Sequence, residues 1–141
     1  MSSLTLQQAH TLINAAFAEA RTQGCKPMGV VVVDGAGQVK AAAREDGATA
    51  LRIDIANGKA SAALGMGVSS RVLAQRAKEL PAFLTALASV SSQKFLPQTG
   101  AVLIKNAAGE VIGAAGASGG TGDEDEAICI AGIAAAGLSH G

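Results

Sequence analysis

Aromatic residues are almost absent from this sequence, which has three Phe, no Trp and no Tyr among 141 residues. Proteins that bind nucleic acids stack bases on aromatic side chains or present a strongly basic surface to the phosphates. Here Lys and Arg total 11, Asp and Glu also total 11, and the formal net charge is zero. We therefore expect no nucleic-acid partner.

A long apolar run is missing as well. No stretch reaches the roughly eighteen uninterrupted apolar residues that a membrane-spanning helix needs. The first ten residues, MSSLTLQQAH, have neither the basic start nor the apolar centre of a signal peptide. The sequence therefore predicts no membrane partner and a cytoplasmic location.

Cysteine and histidine are scarce, with two of each. Cys25 and Cys129 are far apart and lack a metal-binding spacing, so we expect free thiols. Cys129 falls in an apolar helical pattern and is predicted to be buried, whereas Cys25 follows a helix end and is expected to be exposed. With only His10 and His140, the latter in the chain's tail, a Ser/His/Asp triad or a zinc cluster is not expected.

Apolar spacing predicts helices and hairpins in alternation. The expected helices are Thr5–Gln23, Leu51–Gly67, Ser69–Lys78, Pro81–Val90 and Asp123–Leu138, and the expected strands are Met28–Asp34, Gln38–Arg44, Thr99–Lys105 and Glu110–Ser118. Adjacent hairpins favour an antiparallel α+β sheet over a parallel, doubly wound one. No linker interrupts the chain, so residues 1–141 are predicted to form a single domain.

A glycine-rich loop, GASGGTGDEDE, follows the last predicted strand. Its spacing fits neither GxGxxG nor GxxxxGK[ST], and acids stand where a phosphate-binding lysine would be, so phosphate binding is disfavoured. Thr121 and Glu124 have the spacing of a capping box, and Asp125 is expected to add one more charge to the first helical turn. Gly119 and Gly120 would let the backbone come close to a ligand or a neighbouring chain.

Charged residues cluster between the second strand and the second helix. Arg44 ends the strand, Asp46 lies in the following turn, and Lys59 comes about two helical turns into the helix. One interpretation is a solvated turn with ion pairs. The other places all three at one opening, where Arg44 and Lys59 bind a carboxylate and Asp46 acts as a base.

His10 lies at the edge of the apolar stripe of the first helix, beside Leu6, Ile13 and Phe17. A histidine in this position is typical of a residue at the boundary between the apolar and polar faces of a helix, with a satisfied side chain. The alternative is an axial ligand of haem iron, because neutral imidazole facing an apolar slot suits that role. His10 is thus the candidate metal ligand.

Two stretches, AREDGATALRIDIANGKASAA and GEVIGAAGASGGTGDEDEAICIAGIAAA, resemble motifs of the GlcG/HbpS-like haem-binding (haem-degrading) domain family. This family is related to the C-terminal domain of PduO-type cobalamin adenosyltransferases, and the resemblance covers nearly the whole chain. It implies a profilin-like α+β fold with an antiparallel five-stranded sheet flanked by helices. It also implies homo-oligomers from dimer to octamer, and haem binding by some members.

The candidate ligand-binding set consists of His10, from its place on the first helix, together with Arg44, Lys59, Ser118, Gly119, Gly120 and Thr121, which the resemblance implies by position. The sequence departs from the family at Thr99, where the first glycine of a GGxP motif is expected, and at Arg52 and Ala62, where a small residue and threonine are common. We therefore keep three hypotheses. The protein binds haem or another tetrapyrrole, it is an enzyme or accessory subunit acting on a small carboxylate of glycolate-type metabolism, or it is a structural partner subunit.

Overall fold

The computed structural model describes residues 3–141, so residues 1 and 2 of the predicted domain lie outside it. In chain order the elements are α1 (Leu6–Thr22), β1 (Gly29–Asp34), β2 (Val39–Arg44), α2 (Arg52–Met66), α3 (Ser70–Glu79), α4 (Pro81–Val90), β3 (Ala101–Lys105), β4 (Val111–Ser118), α5 (Gly122–Ala135) and β5 (Ser139–His140). The α+β class, the single domain and the five-stranded antiparallel sheet are confirmed.

The strands lie side by side in the order β2-β1-β4-β3-β5, and every neighbouring pair is antiparallel. The shortest strand, β5, pairs Ile104 with His140 at one edge. The interpretation of His140 as part of a tail was therefore wrong, since this residue completes the sheet. A strand of two residues leaves no periodic signal in the sequence, so only its partner β3 defines it.

Helices cover both faces of the sheet. Strand β1 contributes side chains to both, with Val30 and Val32 packed on the side of α1 and α5, and Val31 and Val33 on the side of α2. This two-sided burial explains the four successive valines, which a half-exposed strand would not tolerate. The result is a three-layer arrangement with the sheet in the middle.

Small residues let the layers come close together. A Cβ at Gly116 in β4 would collide with the carbonyl oxygen of Ala56 in α2. A Cβ at Gly132 in α5 would lie 2.5 Å from the carbonyl oxygen of Leu12 in α1. Backbone approach of this kind replaces the large aromatic anchors that the sequence lacks.

Cys25 is 5% exposed and therefore buried, which corrects the expectation that it lies at the surface. The chain folds back after α1, and the backbone N–H of Cys25 donates to the carbonyl of Ala20 at 2.9 Å. Cys129 is buried as predicted, and both thiols are free. Burial raises the pKa of both thiols, so neither is suited to nucleophilic use.

The end of the sheet where β4 leads into α5 positions the candidate site. Here β2 ends at Arg44, β1 begins at Gly29 and β4 ends at Ser118, and these three residues form one row across the ladder. Neighbouring strands are about 4.8 Å apart, so Arg44 and Ser118 are separated by about 10 Å along this row. The glycine-rich loop begins directly after Ser118.

Candidate functional site

An open cleft of about 460 Å³ lies at this end of the sheet, between α2 and the start of α5. Helix α2 contributes Arg52, Ile55 and Lys59 to its wall. The segment before β3 and the segment after β4 supply the rest, namely Leu96, Gln98, Thr99, Ser118, Gly120, Thr121, Gly122, Asp123 and Asp125. The glycine-rich loop is therefore one wall of a cleft, together with Lys59.

A buried ion pair forms the floor of this cleft. Lys59 Nζ lies 2.9 Å from Asp125 Oδ2 and donates to the carbonyl of Ala117 at 3.0 Å. A Cβ at Gly100 would approach Lys59 Nζ to 2.7 Å, so the missing side chain makes room for the ammonium group. Burial raises the pKa of Asp125, and the charge of Lys59 opposes that increase.

Asp125 does lie in the first turn of the last helix, as expected, but it also has a buried role that the sequence did not indicate. Asp125 is 2% exposed, and its Oδ1 accepts a hydrogen bond from the N–H of Gly120 at 3.0 Å. The sequence does not distinguish Asp125 from the three acids beside it. Of the four, only Asp125 is buried.

The capping box at the start of α5 is confirmed. Thr121 Oγ1 accepts from the N–H of Glu124 at 3.1 Å, and Glu124 Oε1 accepts from the N–H of Thr121 at 2.9 Å. The N–H groups of Gly120 and Thr121 are therefore bonded to carboxylates of the protein itself. This arrangement agrees with the sequence interpretation that the loop is not a phosphate cradle.

The glycines of the loop have structural reasons. Gly119 has φ +144°, and a Cβ there would collide with the carbonyl oxygen of Pro27 and lie 2.9 Å from the sulfur of Met28. At Gly120 the nearest atoms are the ends of the Glu124 and Met28 side chains, at 2.6 and 2.8 Å. Close packing against the segment before β1 thus accounts for Gly119 without a ligand.

Arg52 was noted from sequence only as a departure from the family pattern, not as a site residue. The structure places its half-buried side chain in the cleft wall, where Nη1 lies 3.2 Å from Ser118 Oγ. The available signal was an arginine where the family commonly has a small residue, in the first turn of a predicted helix and within the first of the two resembling stretches. The sequence gives no direct indication that residues 52 and 118 meet.

Arg44 and Asp46 line a different cleft, of about 450 Å³, together with Phe17, Arg21, Pro27 and Glu45. The guanidinium of Arg44 donates to the carbonyl of Ala48. Lys59 is not part of this lining. The structure thus separates the three residues that the carboxylate hypothesis placed at one opening, and Lys59 is already paired with Asp125.

His10 is exposed on α1 and lines neither cleft. It shares a helix face with Phe17, seven residues later, which corresponds to about 10 Å along the helix. Helix α1 packs on the opposite face of the sheet from α2. His10 is therefore on the side of the cleft lined by Phe17 and Arg44, away from Lys59.

Within residues 3–141, no cluster of three or more His, Cys, Asp or Glu has the arrangement of a metal site. Over the same residues, no helix combines the length and the apolar character needed to cross a bilayer.

The fold is a single antiparallel sheet between two layers of helices, with a cleft lined by glycines at one end of the sheet. This combination defines a class of small α+β domains. The family model for the haem-degrading protein HbpS-like family matches residues 4–134. The chain belongs to this family, which confirms the resemblance seen in its two motifs. Among curated proteins, the search finds no match.

Solved structures agree with this assignment. The chain is 27% identical to the protein in a PduOC:heme complex, with a TM-score of 0.85 and coverage of 98% of each chain. It is 29% identical to a double mutant of Streptomyces reticuli HbpS, with a TM-score of 0.82 and coverage of 95% of this chain and 87% of that one. Klebsiella pneumoniae protein ORFY, 24% identical with a TM-score of 0.85 and coverage of 97% and 92%, shares the fold.

Proposed function

We propose that this protein is a cytoplasmic homo-oligomer that binds haem or a similar tetrapyrrole. The observation that carries the proposal is the likeness to a protein solved in complex with heme, at 27% identity over 98% of both chains. Membership of the HbpS-like family over residues 4–134 supports the same ligand class.

His10 is proposed as the axial ligand of the iron. Its imidazole is exposed on α1, and within residues 3–141 no hydrogen bond or ion pair occupies it. Leu6, which is 50% exposed, and the half-buried Phe17 lie on the same helix face and offer apolar contact to a porphyrin. These residues fit a haem group, because iron takes imidazole nitrogen and the macrocycle requires an apolar surface.

Each remaining residue of the predicted set has a place in this proposal. Arg44 lines the cleft that also contains Phe17, so its cation is on the side of His10 and suits a propionate. Lys59, Ser118, Gly120 and Thr121 line the second cleft, whereas Gly119 packs against Pro27 and Met28. We propose that these residues support a separate site and not the haem. Bound haem would supply a redox-active iron, while the chain supplies its binding and orientation.

Self-association is proposed from exposed apolar side chains. Leu80, Phe83 and Val90 on and beside α4 are 57%, 56% and 79% exposed, and Val39 on the edge strand β2 is 51% exposed. A chain with zero net charge has little repulsion to keep such surfaces apart. We propose a homo-oligomer between dimer and octamer on this basis.

Titration with haemin tests the proposal. The wild type and a His140→Ala control should shift the Soret band in a saturable way, whereas His10→Ala should shift it differently or lose it. The control matches the other histidine of the chain, which is exposed in β5. If His10→Ala has the same spectrum and haemin affinity as the wild type, His10 is not the axial ligand. If the wild type shows no Soret change, the haem-binding proposal is overturned.

A further inference from the structure

We propose that the cleft between α2 and α5 is a binding site for the carboxylate group of a small organic acid, and that Arg52 binds it. The site is on the α2 side of the sheet, away from His10, and it does not require that haem binds to α1.

Arg52 has unused hydrogen-bonding capacity. A guanidinium has five N–H donors, yet within residues 3–141 the Arg52 side chain makes one hydrogen bond, from Nη1 to Ser118 Oγ at 3.2 Å, and no ion pair. The residue is half-buried, so water satisfies the remaining donors only in part. A half-buried guanidinium with unsatisfied N–H donors is stabilised most by an anion with two acceptor oxygens. A carboxylate is such an anion.

The backbone holds Arg52 in place before a ligand arrives. A Cβ at Gly29 would lie 3.1 Å from Arg52 Cβ and 3.2 Å from its carbonyl carbon, so the glycine lets α2 start against β1. Ser118 is directly opposite Gly29 in the sheet and fixes the guanidinium through its hydroxyl group. An arginine positioned in advance loses less conformational entropy on binding.

The charges around the cleft favour a single negative charge. Lys59 is paired with Asp125 at 2.9 Å, and Arg52 interacts with the same carboxylate only through a weaker charge interaction, so within residues 3–141 Arg52 forms no ion pair of its own. Asp123 on the rim has a side chain that is 82% exposed and is paired with Arg71, so its repulsion is screened. With no lysine free beside Arg52, a monocarboxylate is matched better than a phosphate dianion.

Two apolar side chains also line the cleft. Ile55 lies one helical turn after Arg52 on α2, and Leu96 lies in the segment before β3; both are half-buried. The N–H of Leu96 donates to the carbonyl of Gly58 at 3.1 Å, which holds this segment against α2. A ligand with a carboxylate at one end and a short carbon chain at the other would contact Arg52 and these two side chains together. Such a carboxylate could belong to a free short-chain acid or to the propionate of a tetrapyrrole.

Butyrate is a suitable probe of the free acid. Sodium butyrate, with sodium chloride at equal ionic strength as a blank and inorganic phosphate as a comparison, is titrated while amide NMR signals are followed. We expect saturable shifts of the Gly120 and Gly122 amides and of the Arg52 Nε–H in the wild type. In Arg52→Gln the affinity should fall by about tenfold or more, since a charge-assisted bond is lost.

Arg76→Gln is the matched control, because it removes an exposed arginine of α3 outside this cleft. It should bind butyrate like the wild type, and phosphate should bind more weakly than butyrate. Shifts in Arg52→Gln equal to those of the wild type, or phosphate binding more tightly than butyrate, would overturn the proposal.

Haemin and its dimethyl ester test whether the bound carboxylate is the propionate of a tetrapyrrole. If the carboxylate belongs to a tetrapyrrole, Arg52→Gln should weaken haemin binding and leave the ester unaffected, and butyrate should compete with haemin. If butyrate binds through Arg52 and haemin is indifferent to the substitution, a free acid is the ligand. If neither ligand depends on Arg52, the proposal fails. A wild type that binds butyrate but no haemin would refute only the haem proposal.

Discussion

Lys59 Nζ lies 2.9 Å from Asp125 Oδ2, and the two side chains are only 7% and 3% exposed. The pair joins α2 to α5 across the end of β4, because Lys59 also donates to the carbonyl of Ala117 and Asp125 accepts from Gly120. Two buried charges that satisfy each other hold the cleft floor in one arrangement. Removing one of them leaves the other without a partner.

Lys59→Met should lower the free energy of unfolding by about 3 kcal/mol near pH 7. Burial raises the pKa of Asp125 above its ordinary 3.8, and loss of the Lys59 charge raises it further. An acid whose pKa is higher in the folded state stabilises the fold below its unfolded pKa, and that contribution is lost as pH rises through the folded pKa. The loss in unfolding free energy that Lys59→Met causes should therefore become smaller towards pH 4. Urea denaturation of the variant and the wild type at several pH values measures this difference.

Lys78→Met is the control for this series, because Lys78 is exposed on α3. It should change the unfolding free energy little at any pH. A deficit of Lys59→Met that stays constant between acid and neutral pH would contradict coupling to Asp125.

Gly119→Ala should destabilise the protein more than Gly120→Ala. At Gly119 the φ of +144° and the collision with the Pro27 carbonyl both oppose a side chain, and we expect a loss of about 2 kcal/mol or more. At Gly120 the neighbours are the movable ends of Glu124 and Met28, so the loss should stay near about 1 kcal/mol. Denaturation midpoints in the reverse order would refute this account of the loop.

Gly116→Ala and Gly65→Ala should have opposite effects. A Cβ at Gly116 would strike the Ala56 carbonyl and push α2 off the sheet, which we expect to cost about 2 kcal/mol. At Gly65, within α2, a Cβ would meet nothing within 4 Å, and alanine is favoured over glycine in a helix by up to about 1 kcal/mol. Equal melting temperatures for the two variants would show that layer packing does not depend on Gly116.

Light scattering should give a mass of at least twice the 13.8 kDa of one chain. Phe83 is 56% exposed on α4, so Phe83→Asp should reduce the mass if that helix is an interface. The mass of a single chain for the wild type in dilute physiological buffer would contradict self-association.

Local signals in the sequence were enough for much of the fold. The four valines of β1 indicated burial on both faces, and Val30 and Val31 do pack on opposite sides. The spacing of Thr121 and Glu124 predicted the start of α5, which the capping box confirms. These features depend on neighbours within a few residues, which a single sequence displays directly.

The site depends on pairs that are distant in sequence. Lys59 and Asp125 are 66 positions apart, and so are Arg52 and Ser118. Nothing local distinguishes Asp125 from the acids beside it, since only the packing of α5 against β4 turns it inward. The family resemblance pointed to the glycine-rich loop, whereas the role of Arg52 required the helix and the strand end to be seen together.

Haem binding by the wild-type protein is decided by a haemin titration that is followed at the Soret band and evaluated for stoichiometry. We expect a saturable spectral shift that reaches its endpoint at one haem per chain, both in the wild type and in the His140→Ala control. A spectrum that remains that of free haemin throughout the titration would contradict it.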